Sequence, residues 1–147
     1  PGCGVVNGFI FVFGGDITSG KTSSTEKYDP SSNTWSYVAS MPGGARSRFA
    51  SFALDGFIYA AGGNLDGTNL NRFERYDPVS NVWTSLTNMP TGREYLPGAV
   101  LGNSLFAVGG NSANILNTVE KYDITTGSWS SVASLITGHY QHSCVAL

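Results

Sequence analysis

Three runs of apolar residues, each ended by a pair of glycines, recur along the chain. The clearest extends from Phe57 to Ala61 and is followed by Gly62 and Gly63. A run that is apolar at successive positions is typical of a β-strand covered on both faces, because strand side chains alternate between the faces. Glycine at its end permits backbone angles or a close approach that a side chain would obstruct. The pattern predicts three buried strands, here called strand B, at 9–13, 57–61 and 105–108.

A shorter strand, called strand A, is predicted before each strand B. Asn7-Gly8 separates the two strands in the first copy, and Asp55-Gly56 separates them in the second. Both dipeptides favour two-residue hairpin turns, because their residues tolerate positive φ. In the third copy we predict the turn at Asn103-Ser104. The predicted A strands lie at 2–6, 48–54 and about 96–101.

Two further strands follow each strand B after a polar surface loop. Strand C ends in Tyr-Asp, and a short polar turn leads into strand D near a tryptophan. Proline fits the second position of a β-turn and Asp or Asn fits its flanks, so strands C and D should form a tight hairpin. Ile124 replaces the turn proline in the third copy, which removes preorganisation but not strand pairing. The predicted surface loops lie at 16–24, 64–71 and 111–117.

The landmarks of this four-stranded unit recur at nearly constant spacing. The first glycines of the pairs are 48 residues apart (14 to 62) and 47 apart (62 to 109), and the step from tyrosine to tryptophan is seven residues in all three copies. Repetition at this period indicates an array of supersecondary units. The motif positions are Gly14, Gly15, Tyr28, Trp35, Gly62, Gly63, Tyr76, Trp83, Gly109, Gly110, Tyr122 and Trp129.

This unit resembles the kelch repeat, the four-stranded blade of one class of β-propeller. The resemblance covers nearly the whole chain, with repeat 1 at about 1–46, repeat 2 at about 47–93 and repeat 3 at about 94–138. It implies an all-β fold of three four-stranded antiparallel blades, followed by one spare inner strand at 139–147. A kelch ring usually has about six blades, so the resemblance implies an arc or half of a ring.

An open arc exposes apolar faces on both end blades, and such faces favour association. Further blades from a longer parent chain would close the ring, and so would a second copy of this chain in a homodimer. In the homodimer, the spare strand at 139–147 would pair with strand B at 9–13 of the other copy. Both explanations stay open at this point.

Composition agrees with an all-β fold and narrows the classes of partner. Charged residues make up only 12% of the chain, and 19 residues are glycine, as expected for short strands joined by tight turns. The net charge of −2 argues against a nucleic-acid partner, which normally requires clustered Lys and Arg. No apolar stretch approaches the roughly 18 residues of a membrane helix, so no membrane partner is predicted.

The repeated aromatic and acidic residues are predicted to be structural. The tyrosines and tryptophans of the motif should fill the space between neighbouring blades, with their hydroxyl or indole N–H groups bonded to the backbone. Glu26, Glu74 and Glu120 each precede a motif tyrosine by two residues and share its strand face. We predict that these carboxylates accept hydrogen bonds from backbone N–H groups or from a nearby basic side chain.

No catalytic, cofactor or metal site is predicted. His139, His142 and Cys144 resemble zinc ligands, but in a strand 142 and 144 share one face while 139 points to the other. The sequence has no Gly-x-Ser-x-Gly motif and no Gly-Lys-Ser/Thr phosphate loop. Galactose oxidase also has kelch-type blades and holds copper with tyrosine and histidine, but its ligand set has no recognisable counterpart here.

The positions that lead into strand A differ between the copies, as do the loops between strands B and C, and variable segments on a rigid repeated scaffold usually carry binding specificity. They are predicted to meet at one end of the central channel and to bind ligand. Kelch propellers of cullin-linked substrate adaptors resemble this plan and bind acidic peptides, so an acidic peptide or a sugar acid is implied. Exchanging Arg46 and Arg93 for alanine is then expected to weaken binding without unfolding the blades. The predicted residues are Arg46, Arg48, Arg93, Tyr95, His139 and Tyr140.

Three classes of function are compatible with this sequence. The first is a non-catalytic scaffold that binds a protein, peptide or glycan through the loops at the channel mouth. The second is a fragment of a galactose-oxidase-like propeller enzyme whose catalytic residues lie mostly outside these repeats. The third is a purely structural repeat module. A flanking interaction domain would favour the first class, and a flanking domain that supplies His and Tyr ligands would favour the second.

Overall fold

The computed structural model describes residues 1–141 and contains sixteen strands in that range. The first repeat forms β1 (Gly2–Val6), β2 (Phe9–Phe13), β3 (Asp16–Ile17), β4 (Gly20–Lys21), β5 (Thr25–Asp29) and β6 (Thr34–Val38). The second forms β7 (Ala50–Leu54), β8 (Phe57–Ala61), β9 (Asn64–Leu65), β10 (Thr68–Asn69), β11 (Phe73–Asp77) and β12 (Val82–Ser85). The third forms β13 (Gly98–Leu101), β14 (Ser104–Val108), β15 (Val119–Asp123) and β16 (Ser128–Val132).

The long strands build three four-stranded antiparallel sheets, one for each repeat, which we call blades 1 to 3. Their orders are β1-β2-β5-β6, β7-β8-β11-β12 and β13-β14-β15-β16. The innermost strand β7 contacts both β1 and β13, so the blades stand side by side as an arc. This architecture confirms the predicted all-β fold of three kelch-type blades. No helix long and apolar enough to span a lipid bilayer occurs in residues 1–141.

The hairpin turns of blades 1 and 2 lie at the predicted dipeptides. Val6 pairs with Phe9 around Asn7-Gly8, where φ is 53° and 80°. The third turn is displaced by one residue from the prediction: Leu101 pairs with Ser104, so the loop is Gly102-Asn103. Asn103-Ser104 was the wrong dipeptide, because Gly102 takes the first turn position with a φ of 54° and leaves Ser104 to begin β14.

Two of the predicted surface loops contain small hairpins that the sequence pattern did not indicate. Strands β3 and β4 pair through Asp16 and Lys21, and β9 and β10 pair through Asn64 and Asn69. Each loop returns to the sheet through a glycine-containing turn, and the side chains of Lys21 and Asp66 lie 3.5 Å apart across the two loops. The hairpins therefore project from the same end of neighbouring blades.

Two apolar cores lie between the blades, and aromatic residues dominate both. Tyr76 of blade 2 meets Phe11 of blade 1 with ring centres 5.6 Å apart, and Trp83 meets Phe13 at 5.4 Å. The core between blades 1 and 2 is formed by Val6, Phe11, Phe13, Met41, Phe49, Ile58, Ala60, Tyr76 and Trp83. The core between blades 2 and 3 is formed by Ala50, Phe52, Tyr59, Ala61, Phe73, Met89, Leu96, Leu105, Ala107 and Tyr122.

The predicted packing role of the motif aromatics is confirmed wherever a preceding blade is present. The Trp83 indole N–H donates to the Ala39 carbonyl at 2.9 Å, and that of Trp129 donates to the Thr87 carbonyl at 2.8 Å. The tyrosine hydroxyl differs from the prediction, because the Tyr76 O–H donates to the Asn81 side chain at 2.9 Å rather than to the backbone. In blade 1, Trp35 remains 50% exposed.

The turns between strands C and D are held by aspartates whose carboxylates accept hydrogen bonds. Asp77 accepts the Ser80 hydroxyl at 2.7 Å and the Val79 N–H at 2.9 Å, and these bonds lower the pKa of Asp77 below its ordinary 3.8. Asp29 and Asp123 occupy the same position, and hydrogen bonds lower the pKa of each in the same way. All three carboxylates are exposed to solvent, so each makes only a modest contribution to the stability of the fold.

We expect the thermal stability of the chain to fall in acid through these turns. A carboxyl whose native pKa is lowered contributes stability above its unfolded pKa, and that contribution is lost as the pH falls from 3.8 through the native value. Thermal melts from about pH 5 to about pH 2 should show this fall, and Asp77→Asn should reduce its steepness. Equal slopes for the variant and the parent chain would contradict the assignment.

Candidate binding site

The paired glycines fix the segments that connect one blade to the next. The Gly63 N–H donates to the Arg93 carbonyl at 2.8 Å, and the N–H groups of Gly15 and Gly110 make the equivalent bonds to Arg46 and His139. A Cβ atom at Gly63 would lie 2.7 Å from the Ser47 carbonyl oxygen. The connections between blades therefore lie directly against the ends of the B strands. We call this end of the arc the mouth.

Three residues at the mouth adopt the left-handed backbone conformation although none is glycine. Arg48, Tyr95 and Gln141 have φ values of 62°, 52° and 55°. The Tyr95 N–H donates to the Arg48 carbonyl at 2.8 Å, and the Gln141 N–H donates to the Tyr95 carbonyl at 3.1 Å. Such angles are uncommon for large side chains, and backbone strain concentrates at functional sites. The same strained position thus recurs after each blade, and a backbone hydrogen bond links each of these residues to the next.

Side chains from two of these positions form a compact group that we call the mouth cluster: Arg48, Glu94, Tyr95 and Tyr140. Arg48 Nη1 donates to Glu94 Oε2 at 2.9 Å, and its guanidinium carbon lies 4.6 Å from the centre of the Tyr95 ring. The rings of Tyr95 and Tyr140 meet edge to face, with centres 6.1 Å apart. The segments that follow blades 1, 2 and 3 are thereby connected at the mouth through side chains as well as through the backbone.

The mouth cluster is accessible and well organised for binding. The Arg48 side chain is 39% exposed and Tyr140 is 44% exposed. The hydrogen bond to Glu94 raises the pKa of Arg48, so the guanidinium is charged at any physiological pH. A guanidinium has five N–H donors, and the bond to Glu94 uses only one of them. The cluster can therefore pair with a carboxylate and stack on an aromatic or sugar ring.

Arg46 and Arg93 do not belong to this accessible cluster, and the prediction that they contact a ligand is wrong. Both side chains are completely buried. Arg46 Nη1 lies 2.6 Å from Glu74 Oε2, and Arg93 Nη2 lies 2.8 Å from Glu120 Oε1. Burial lowers the pKa of both guanidiniums, and the paired glutamates oppose that shift. These arginines stabilise the contact between blades and cannot reach solvent.

The prediction that the repeated glutamates are structural acceptors is confirmed in blades 2 and 3. Glu74 accepts the Gly43 N–H at 2.6 Å in addition to its ion pair, and Glu120 pairs with Arg93. In residues 1–141 no arginine, lysine or histidine forms an ion pair with Glu26 of blade 1. Glu26 occupies the same position in blade 1 as Glu74 and Glu120 in the other two blades, where an arginine from the preceding connecting segment pairs with the glutamate.

His139 takes the backbone place of the buried arginines. Its carbonyl accepts the Gly110 N–H at 2.8 Å, and its N–H donates to the Leu116 carbonyl at 3.2 Å. The residue is exposed and directly precedes Tyr140 of the mouth cluster. His142 and Cys144, which the sequence pairs with it as possible metal ligands, lie outside the described residues. No group of three His, Cys, Asp or Glu residues within 1–141 is arranged to hold a metal ion.

Glu94 is the one member of the mouth cluster that the sequence analysis missed. It lies between two residues that were selected, but its own role depends on Arg48 of the preceding repeat, 46 residues away. A cavity of about 390 Å³ lies elsewhere, lined by Gly43, Arg72 and Glu74 among others. The Arg72 guanidinium donates to the Gly43 carbonyl at its wall. This cavity is separate from the mouth cluster.

Comparison with known proteins agrees with the fold. The family model described as the KLHDC2/KLHL20/DRC7 Kelch-repeats domain matches residues 2–147. A solved structure described as "Structure of YjhT" superposes with a TM-score of 0.76 and 18% sequence identity. The match covers 94% of this chain and 52% of that structure, so the chain spans about half of its length. At this identity the likeness concerns the fold alone. No curated protein matches significantly.

Proposed function

Because the chain belongs to the kelch-repeat family, whose domains usually serve as protein-interaction scaffolds, we propose that it is a non-catalytic scaffold that binds an acidic peptide at the mouth. The observation that carries this proposal is the mouth cluster: an exposed arginine stacked on a tyrosine, both on strained backbone held by the blade framework. Arg48, Tyr95 and Tyr140 would contact the peptide, and Glu94 would orient the guanidinium.

The chemistry of the cluster favours one carboxylate side chain over a run of them. The free N–H donors of Arg48 can pair with a planar carboxylate in two parallel hydrogen bonds. Glu94 already supplies one negative charge beside the guanidinium, so further acidic groups on the ligand would be repelled. The two tyrosine rings offer a stacking surface and hydroxyls for the adjoining residues of the peptide. A sugar acid presents the same carboxylate and is the alternative ligand.

Panning a random peptide library on the 147-residue chain tests this function. We expect enriched peptides to share an Asp or Glu, and we expect Arg48→Ala to weaken their binding about tenfold or more, which corresponds to about 1.4 kcal/mol. Lys27→Ala is the matched control, because it removes the same charge from strand β5, where the ammonium lies 3.6 Å from the centre of the Phe9 ring.

Two outcomes would contradict the proposal. One is a set of enriched peptides without a common carboxylate. The other is equal loss of binding in Arg48→Ala and Lys27→Ala, which would indicate a general charge effect. If glucuronic acid competes for the site and no peptide is enriched, the ligand is a sugar acid rather than a peptide.

A further inference from the structure

The cavity of about 390 Å³ lies between blades 1 and 2, and we call it the interblade cavity. Gly43, in the segment that connects β6 to β7, forms one wall. The opposite wall is the edge of blade 2, where Glu74 pairs with Ser85, so that their side chains share one face of the sheet. Arg72 and Asn88 complete the polar lining. The volume is within the range of small-molecule sites, about 300–1,000 Å³.

The interblade cavity has one more positive charge than negative charge around it. Glu74 already has two partners, because its Oε1 accepts the Gly43 N–H at 2.6 Å and its Oε2 lies 2.6 Å from Arg46 Nη1. Within residues 1–141, no carboxylate pairs with Arg72, whose guanidinium donates to the Gly43 carbonyl instead. Burial lowers the pKa of Arg46, Glu74 opposes that shift, and the nearby charge of Arg72 adds to it. Two guanidiniums therefore share a single carboxylate.

The equivalent place between blades 2 and 3 lacks this surplus charge. Arg72 and its counterpart Thr118 both stand two residues before the repeated glutamate. At the second contact, Arg93 Nη1 donates to the Thr118 carbonyl at 3.0 Å and its Nη2 lies 2.8 Å from Glu120 Oε1. One guanidinium there meets one carboxylate. Arg72 is therefore specific to one contact between blades, and the packing shared by the repeats does not account for it.

The connecting segment leaves room beside the Arg72 guanidinium. Between its Met and its Arg, the first segment has four residues, including Gly43 and Gly44, whereas the second segment has three. A Cβ atom at Gly43 would lie 2.6 Å from Glu74 Oε1, and one at Gly44 would lie 3.9 Å from Arg72 Nη1. The two glycines thus bring the backbone close to blade 2 without placing a side chain in the cavity.

We infer that the interblade cavity binds a small hydroxycarboxylate, an organic acid with one carboxylate and several hydroxyl groups. Since the bond to Gly43 uses one of five N–H donors, Arg72 can pair with a carboxylate in two parallel hydrogen bonds. The Ser85 hydroxyl and the Asn88 amide both donate and accept, which suits the hydroxyls of the same ligand. A doubly charged anion would be repelled by Glu74, because only one positive charge is in surplus. This site is independent of the mouth cluster.

Nuclear magnetic resonance of the isotope-labelled 147-residue chain tests this inference, with gluconate as the probe. The reference is sodium chloride at equal ionic strength, because salt alone screens exposed charges. We expect gluconate to shift the backbone amide signals of Gly43, Gly44 and Asn88 in a saturable way, with a dissociation constant of about 1 mM or lower. Sorbitol lacks the carboxylate and hexanoate lacks the hydroxyls, so each should bind about tenfold more weakly or less.

Two variants probe the lining of the cavity. Arg72→Gln removes the charge but keeps an amide donor, and it should weaken gluconate binding about tenfold or more. Asn88→Ala should weaken it about threefold or more, and because Asn88 is exposed this variant should fold like the parent chain. Lys27→Ala is the matched control, since it removes the same charge from β5, outside the cavity.

Several outcomes would overturn the inference. Shifts confined to Glu94 and Tyr95 would place gluconate at the mouth cluster, whereas failure of peptide binding at the mouth would leave the interblade cavity unaffected. An equal response to sorbitol, hexanoate or inorganic phosphate would contradict the assigned class of ligand. Unchanged affinity in both Arg72→Gln and Asn88→Ala would show that the ligand binds elsewhere. An equal loss in Lys27→Ala and Arg72→Gln would indicate a general charge effect.

Discussion

Arg93→Ala should destabilise the chain by about 3–5 kcal/mol, because it would leave the Glu120 carboxylate buried without its counter-charge. Arg93 is completely buried, and its Nη1 also donates to the carbonyls of Gly109 and Thr118 at 2.9 and 3.0 Å. These two carbonyls lie just outside β14 and β15, so the guanidinium joins blade 2 to the backbone of blade 3. Since small domains unfold at a total cost of about 5–15 kcal/mol, this loss is a large share.

Urea denaturation measures this effect, and Arg48→Ala provides the control. The Arg48–Glu94 pair has a similar distance, 2.9 Å, but Arg48 is 39% exposed and screened by water, so its loss should cost only about 0–1 kcal/mol. If Arg93→Ala and Arg48→Ala lower the free energy of unfolding by the same amount, burial does not determine how much these ion pairs stabilise the chain. The sequence predicted that the Arg46→Ala, Arg93→Ala double variant stays folded. Because both arginines are buried in ion pairs, we now expect this double variant to be strongly destabilised.

Gly63→Ala should cost about 2–5 kcal/mol, the second large effect. Its φ of 106° is unfavourable for a residue with a side chain, which costs about 1–2 kcal/mol. The new methyl would also lie 2.7 Å from the Ser47 carbonyl oxygen and 3.0 Å from Phe49 Cβ, and such overpacking typically costs about 1–3 kcal/mol. The variant would force the connecting segment away from β8.

Gly67→Ala separates the two causes. Gly67 also has a left-handed φ, 86°, but a Cβ there would meet nothing within 4 Å. This control should cost only the backbone share of about 1–2 kcal/mol. Urea denaturation of both variants gives the steric contribution as their difference. If the two variants lose the same stability, the close approach of the connecting segment does not constrain Gly63.

The sequence is sufficient to predict the blades because their signals are local. The turn dipeptide Asn7-Gly8 and the apolar run after it lie within ten residues, and the observed β1 and β2 have the predicted bounds. The third hairpin shows how the same method is misled. Gly102 and Asn103 both tolerate positive φ, so the sequence alone did not decide which pair of residues forms the loop.

The candidate site was harder to predict because the side chains of its residues do not alternate between two faces as they do in a regular strand. In a strand, Arg46 and Arg48 would share one face. The left-handed φ of Arg48 breaks that alternation, so Arg46 turns into the contact between blades while Arg48 reaches the mouth. The buried pairs did leave a signal in the sequence: Glu74 follows Arg46 by 28 residues, and Glu120 follows Arg93 by 27.

The alternating side chains of β8 have a consequence for how the arc behaves as a whole. Ile58 and Ala60 belong to the core shared with blade 1, while Tyr59 and Ala61 belong to the core shared with blade 3. Blade 2 links the two outer blades, because its strand β7 contacts both β1 and β13 and its strand β8 contributes side chains to both cores. The stabilities of the blades are therefore coupled as neighbours in a one-dimensional array. Loosening of β8 would uncouple both ends together, which makes the middle repeat the cooperative unit on which unfolding of the arc depends.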